Sequence, residues 1–116
     1  MEVYDIQKIQ LASSWDRSAL ESLLQSQGLR LDHDVETAFG VYETSGEEPK
    51  LVGCGCAAGA LLKCFALLPQ LRGQNLLGRL VSALTQDRFA AGYYDLMVIT
   101  RAHTETLLVN SGLWTV

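Results

Sequence analysis

Basic residues are in the minority: nine Lys and Arg stand against thirteen Asp and Glu, a formal net charge of −4 over 116 residues. Sequence-independent phosphate binding needs a basic excess, so no nucleic-acid partner is expected. Long apolar runs are also missing. Leu61 to Leu68 is interrupted by Lys63 and falls far short of the roughly 20 residues that a membrane helix needs. The start, Met1-Glu2-Val3-Tyr4-Asp5, has no basic region followed by an apolar stretch, so neither membrane insertion nor secretion is expected. Proline occurs only twice and no tract is of low complexity. With 48% hydrophobic and 19% charged residues, this excludes a disordered, collagen-like or coiled-coil chain. Cysteine is limited to three, an odd number without a secretory signal. Cys54, Cys56 and Cys64 lack the CxxC spacing and histidine partners of a zinc site, so free thiols in a reducing cytoplasm, and no metal, are expected.

What is present is enough apolar surface for one domain spanning residues 1–116. Val3 to Ile9 reads as a strand. Ser13 or Ser14 can cap a helix in which Leu20, Leu23 and Leu24 recur at helical spacing, with Trp15 a further candidate, until Gly28 ends it. Leu29 to Glu36 is acidic and aperiodic, a solvated turn or short helix. Thr37 to Glu43 and Lys50 to Ala58 read as strands joined by the hairpin Thr44-Ser45-Gly46-Glu47-Glu48-Pro49. A tight turn at Gly59-Ala60 leads into Leu61 to Leu68, completing an antiparallel meander that would set Cys56 opposite Cys64 as small buried thiols.

After Pro69 the period changes. Leu76, Leu77, Leu80, Val81 and Leu84 form a buried helix stripe running to about Arg88 or Phe89. Leu96-Met97-Val98-Ile99 then reads as a strand covered on both faces, and strand, helix, strand at this spacing is a right-handed parallel crossover. His103 to Ser111 reads as a last helix, and Leu113-Trp114-Thr115-Val116 as a strand cut short. The expected class is therefore α/β (α+β): a mixed central sheet, a meander followed by a crossover, with helices on both faces. A domain ending in so short a strand has either lost a closing strand or, the favoured reading, continues as the N-terminal part of a longer protein. Free sheet edges near Leu113 to Val116 would invite a homodimer.

The loop between the fourth strand and its helix, Leu67-Leu68-Pro69-Gln70-Leu71-Arg72-Gly73-Gln74-Asn75-Leu76-Leu77-Gly78, concentrates the chemistry. A strand tip followed at once by a helix start presents unsatisfied amides and the positive end of the helix dipole, an arrangement suited to an anion. Arg72 can add a charged donor, and Gly73 permits close backbone approach.

Pro-x-x-Arg-Gly-Gln-x-Leu before an amphipathic helix resembles the acetyl-CoA pyrophosphate loop of the GCN5-related N-acetyltransferase (GNAT) superfamily. More narrowly, Leu51-Val52-Gly53-Cys54-Gly55-Cys56-Ala57-Ala58-Gly59, Leu62-Lys63-Cys64-Phe65-Ala66, Arg72-Gly73-Gln74 and the segments Glu105-Thr106-Leu107 and Ser111-Gly112-Leu113 are similar to the N-terminal domain of the citrate lyase ligase family. The resemblance implies an acyl-CoA-dependent acyltransferase domain that takes acetyl-CoA or CoA. In that family it precedes a nucleotidyltransferase domain, absent here, and the whole enzyme reacetylates the acyl carrier of citrate lyase with ATP and acetate. By position, Phe65, Ala66 and Leu67 would face the pantetheine arm where strands four and five part, and Arg72, Gly73, Gln74, Asn75, Leu76 and Leu77 would supply diphosphate amides. The alternative it leaves open is a non-catalytic module that holds the phosphopantetheine-type arm of an acyl carrier protein or serves assembly. The superfamily loop reads Arg-Gly-x-Gly-x-Gly/Ala, so Asn75 and Leu77 depart from it. Asn tolerates positive φ; Leu77 must either stand in the ligand's space or turn onto the core. Leu108 occupies the position where many members place a tyrosine, and Glu43, His103 and Glu105 are proton acceptors without a tuned environment in sequence. No catalytic residue is assigned.

Overall fold

The computed structural model describes residues 4–71, 75–99, 106–110 and 113–114. Its elements are β1 (Tyr4–Lys8), α1 (Ser14–Ser26), β2 (Thr37–Glu43), β3 (Lys50–Ala58), β4 (Leu61–Leu67), a 3₁₀ turn (Pro69–Leu71), α2 (Leu76–Ala90), β5 (Asp95–Ile99), β6 (Thr106–Asn110) and β7 (Leu113–Trp114). Among the described residues the strands form one sheet in chain order, antiparallel throughout except for the parallel pair β4–β5 that α2 connects. The architecture is the expected GNAT-like mixed sheet.

The two helices cover opposite faces because side chains alternate along each strand. Leu20, Leu23 and Leu24 of α1 pack with Ala38, Cys54, Cys56 and Ala66. Leu76, Leu80, Val81 and Leu84 of α2 pack with Val41, Val52, Ala57, Leu62 and Phe65. Ser13 caps α1, its hydroxyl accepting from Asp16 N at 3.4 Å. Gly28, at φ 74°, ends the helix: its N–H reaches Gln25 O and that of Leu29 reaches Leu24 O, the paired bonds of a Schellman motif.

Four expectations need correction. Trp15 is not in the α1 stripe and stands 83% exposed; five residues before Leu20, it lies about 140° away around the helix. Leu77 does not join the α2 stripe, being 38% exposed while its neighbour Leu76 is buried. The strand Leu96–Ile99 is covered on one face only: Leu96 and Val98 are buried against α2, whereas Met97 and Ile99 are 46% and 39% exposed. Finally, the helix expected over His103–Ser111 is absent at Thr106–Asn110, which is a strand antiparallel to β5 from Asp95↔Asn110 to Ile99↔Thr106. A Thr-Leu-Leu-Val run suits a pleated strand next to an available edge, and that pairing overrides the helical spacing.

Candidate functional site

The site is built where β4 leaves β5. The parallel ladder consists of Leu61↔Met97 and Leu62↔Val98, and among the described residues Lys63 to Leu67 have no β5 partner. Backbone groups along that edge need a hydrogen-bonding partner from ligand or water.

A bulge sets this geometry. Cys54 pairs with Ala66 and Cys56 with Lys63, so Gly55 alone faces the two residues Cys64 and Phe65. Cys64, the extra residue, is in the left-handed region at φ 57°, a rare conformation for a side chain other than Gly or Asn. The expected Cys56–Cys64 opposition is thus displaced by one position: Cys56 faces Lys63. Simple alternation from Leu62 would send Phe65 toward α1. The bulge instead leaves Lys63 and Cys64 on the α1 side and returns Phe65 and Leu67 to the α2 layer, with Ala66 in the α1 layer.

Phe65, Ala66 and Leu67 therefore commit their side chains to the core. They offer the opening their backbone, not their side chains. Gly55 makes room for the Phe65 ring, since a methyl group there would lie 2.6 Å from Phe65 Cε1 and 2.9 Å from Leu84 Cδ1.

Around the bulge the Cys56 and Cys64 thiols are held protonated. Cys54 Sγ donates to Cys64 O at 3.4 Å. A hydrogen bond with Cys54 and then burial push the Cys56 thiol well above its ordinary value. A hydrogen bond shared with Cys56, and then burial, do the same for Cys64. Such thiols pack as small hydrophobes and are poor nucleophiles at neutral pH. Among the described residues no group of His, Cys, Asp and Glu could hold a metal ion.

The linker from α1 to β2 is the turn expected, and its acids are engaged. Lys63 Nζ lies 3.0 Å from Asp32 Oδ2 and 2.9 Å from Asp34 Oδ1. The hydrogen bond from Lys63 holds Asp34 below the ordinary carboxylate range, and the same bond raises the Lys63 ammonium. Glu36 Oε1 accepts from Gly59 N at 2.6 Å and from Arg88 Nη1 at 3.3 Å, fastening the β3–β4 turn to the end of α2.

At the other end of β4, the chain passes through the 3₁₀ turn, anchored by buried Leu71, to the start of α2. Arg72, Gly73 and Gln74 lie outside the described residues. Asn75 is the N-cap at φ 58° and ψ 22° and makes no side-chain capping bond. Asn tolerates this left-handed backbone better than most residues, so the cap conformation is open to Asn75 despite its side chain. The first helical bond runs from Arg79 N to Asn75 O, at 3.3 Å. The amides of Leu76, Leu77 and Gly78 precede it and have no acceptor within the helix. Gly78 leaves room for the Asn75 side chain, whose Oδ1 would lie 2.6 Å from a methyl group there and would have to turn aside. Leu77 points outward beside these amides.

Glu43 ends β2, in register with Lys50 and Tyr4, two strands from β4. His103 and Glu105 lie outside the described residues, as does the side chain of Leu108. The residue that sequence reasoning missed is Cys64 as the bulge. A left-handed cysteine has no composition or spacing signal.

No protein-family model matches the chain. Among curated proteins it is 32% identical over 98 residues to the [citrate [pro-3S]-lyase] ligase of Klebsiella pneumoniae, covering 84% of this chain and 28% of that protein. It is 30% identical over 84 residues to the enzyme of the same name from Escherichia coli, covering 72% and 24%. The Haemophilus influenzae enzyme matches at 26% over 97 residues, covering 84% and 28%. The chain thus spans about a quarter of the length of these relatives. Among solved structures, a chain from a crystal structure of a KacTA–DNA complex superposes with a TM-score of 0.57 at 14% identity, over 93% of both chains, a likeness of fold alone.

Proposed function

We propose, from the premise that this chain is a citrate lyase ligase-related, GNAT-like domain, that it binds acyl-CoA as an N-acyltransferase-type domain. The free edge of β4 would take the pantetheine arm, and the start of α2 would take the diphosphate. The reading is carried by one observation: among the described residues the β4–β5 ladder stops after Leu62↔Val98, and at the helix start that follows β4 in the chain the cap residue Asn75 makes no side-chain bond to the first amides. Arg72, Gly73 and Gln74 complete the cradle by resemblance.

In this reading the backbone of Phe65, Ala66 and Leu67 pairs with the amide groups of the arm, in the manner of an added strand. A backbone N–H of the bulged segment polarises the thioester carbonyl. An acceptor amine attacks that carbon, the carbon–sulfur bond breaks, the amine loses a proton, and CoA leaves as the thiol. The domain contributes chiefly orientation and charge stabilisation. Asn75 fits the cradle as a residue type that tolerates the left-handed φ of 58° it adopts at the cap. Leu77 fits only at its margin, and its exposed isobutyl group borders the space where the diphosphate would lie.

Calorimetry with acetyl-CoA tests the reading. Saturable heat is expected, with Gly73→Trp abolishing it; no saturable heat, or binding indifferent to Gly73→Trp, overturns it. A second reading rests on the similarity to the citrate lyase ligases: a non-catalytic module that holds the phosphopantetheine-type arm of an acyl carrier protein. Pull-down with modified and unmodified carrier separates the two, since equal retention of both counts against arm recognition.

A further inference from the structure

We draw no further inference here: the strongest candidate, the outward face of β5 where Met97 and Ile99 stand exposed on the side of the sheet away from α2, is an unpartnered apolar face, and nothing in the structure shows what covers it.

Discussion

Gly55→Ala tests whether the bulge governs the opening between β4 and β5. Gly55 is the single residue facing Cys64 and Phe65, and the added methyl group would lie 2.6 Å from Phe65 Cε1, 2.9 Å from Phe65 Cδ1 and 2.9 Å from Leu84 Cδ1. Carbon atoms pack best at about 3.5–4.0 Å, so the ring has to retreat by about 1 Å. Phe65 is 8% exposed and has Leu84, itself fully buried, beside it, so the retreat must come from the β4 backbone or from repacking. Overpacking of this kind costs about 1–3 kcal/mol. For a domain of this size that lowers Tm by about 4–12 °C.

Thermal unfolding followed by circular dichroism reads the effect, and the double variant Gly55→Ala with Phe65→Leu isolates it. Phe65→Leu alone leaves space and destabilises, while in the Gly55→Ala background it relieves the clash, so the two losses should sum to less than additivity. Gly46→Ala is the control. It sits in the β2–β3 hairpin with only Glu48 O, 3.9 Å away, near its added methyl group, and should be neutral. If Gly55→Ala leaves Tm unchanged, or if the double variant is additive, the ring does not pack against residue 55 and the account of the bulge fails. Where acetyl-CoA binds, Gly55→Ala should weaken binding more than its fall in stability implies, because the segment that moves is the proposed docking edge.

Three further outcomes follow from the same geometry. Cys64→Gly relaxes a left-handed backbone and should raise stability by about 1 kcal/mol, less what is lost in thiol packing, as read from the urea midpoint at constant m-value. For Asp87, burial alone would raise the carboxyl, but hydrogen bonds from Arg88 and Lys8 outweigh it and hold the group below its ordinary value. That contribution is complete above the unfolded carboxylate pKa of about 4 and is lost as pH falls through the lower folded value; Asp87→Asn should therefore reduce stability at neutral pH and flatten its acid limb, and an unchanged limb refutes the pairing. With the Cys56 and Cys64 thiols held protonated, a thiol reagent at pH 7.5 should modify them slowly in the native protein and rapidly in urea, and fast native labelling of Cys56 would overturn its burial.

The parts of the fold that were legible in the sequence are those where a local rule and the tertiary structure agree. Ser13, Leu20, Leu23, Leu24 and Gly28 define α1 because cap, stripe and left-handed end all act within one helix. Thr44 to Pro49 and Gly59-Ala60 define the meander because turns fix register. At β5, composition could not tell a strand buried on both faces from one buried on a single face: Leu96-Met97-Val98-Ile99 is apolar throughout, and only the position of α2 separates Leu96 and Val98 from Met97 and Ile99. At Thr106–Asn110 the residues satisfy both periods, and the choice lay with the neighbouring edge.

The candidate site divides along the same line. Its helix start was readable, since Pro69 and the following loop mark it. Its opening was not, because the opening depends on which face each residue of β4 reaches. A single residue inserted into the pairing changes that for every residue after it. Cys64 is that residue, and it sits at the start of the apolar run after Lys63 with no turn signal of its own. With plain alternation through Cys64 in place of the bulge, Phe65 and Leu67 would turn toward α1, and the α2 layer would lose the ring that fills the hollow above Gly55. The backbone edge that the proposed ligand reads and the core packing that stabilises the sheet thus depend on the same inserted residue, so substitutions that restore plain alternation at 64–65 should cost stability and ligand affinity together.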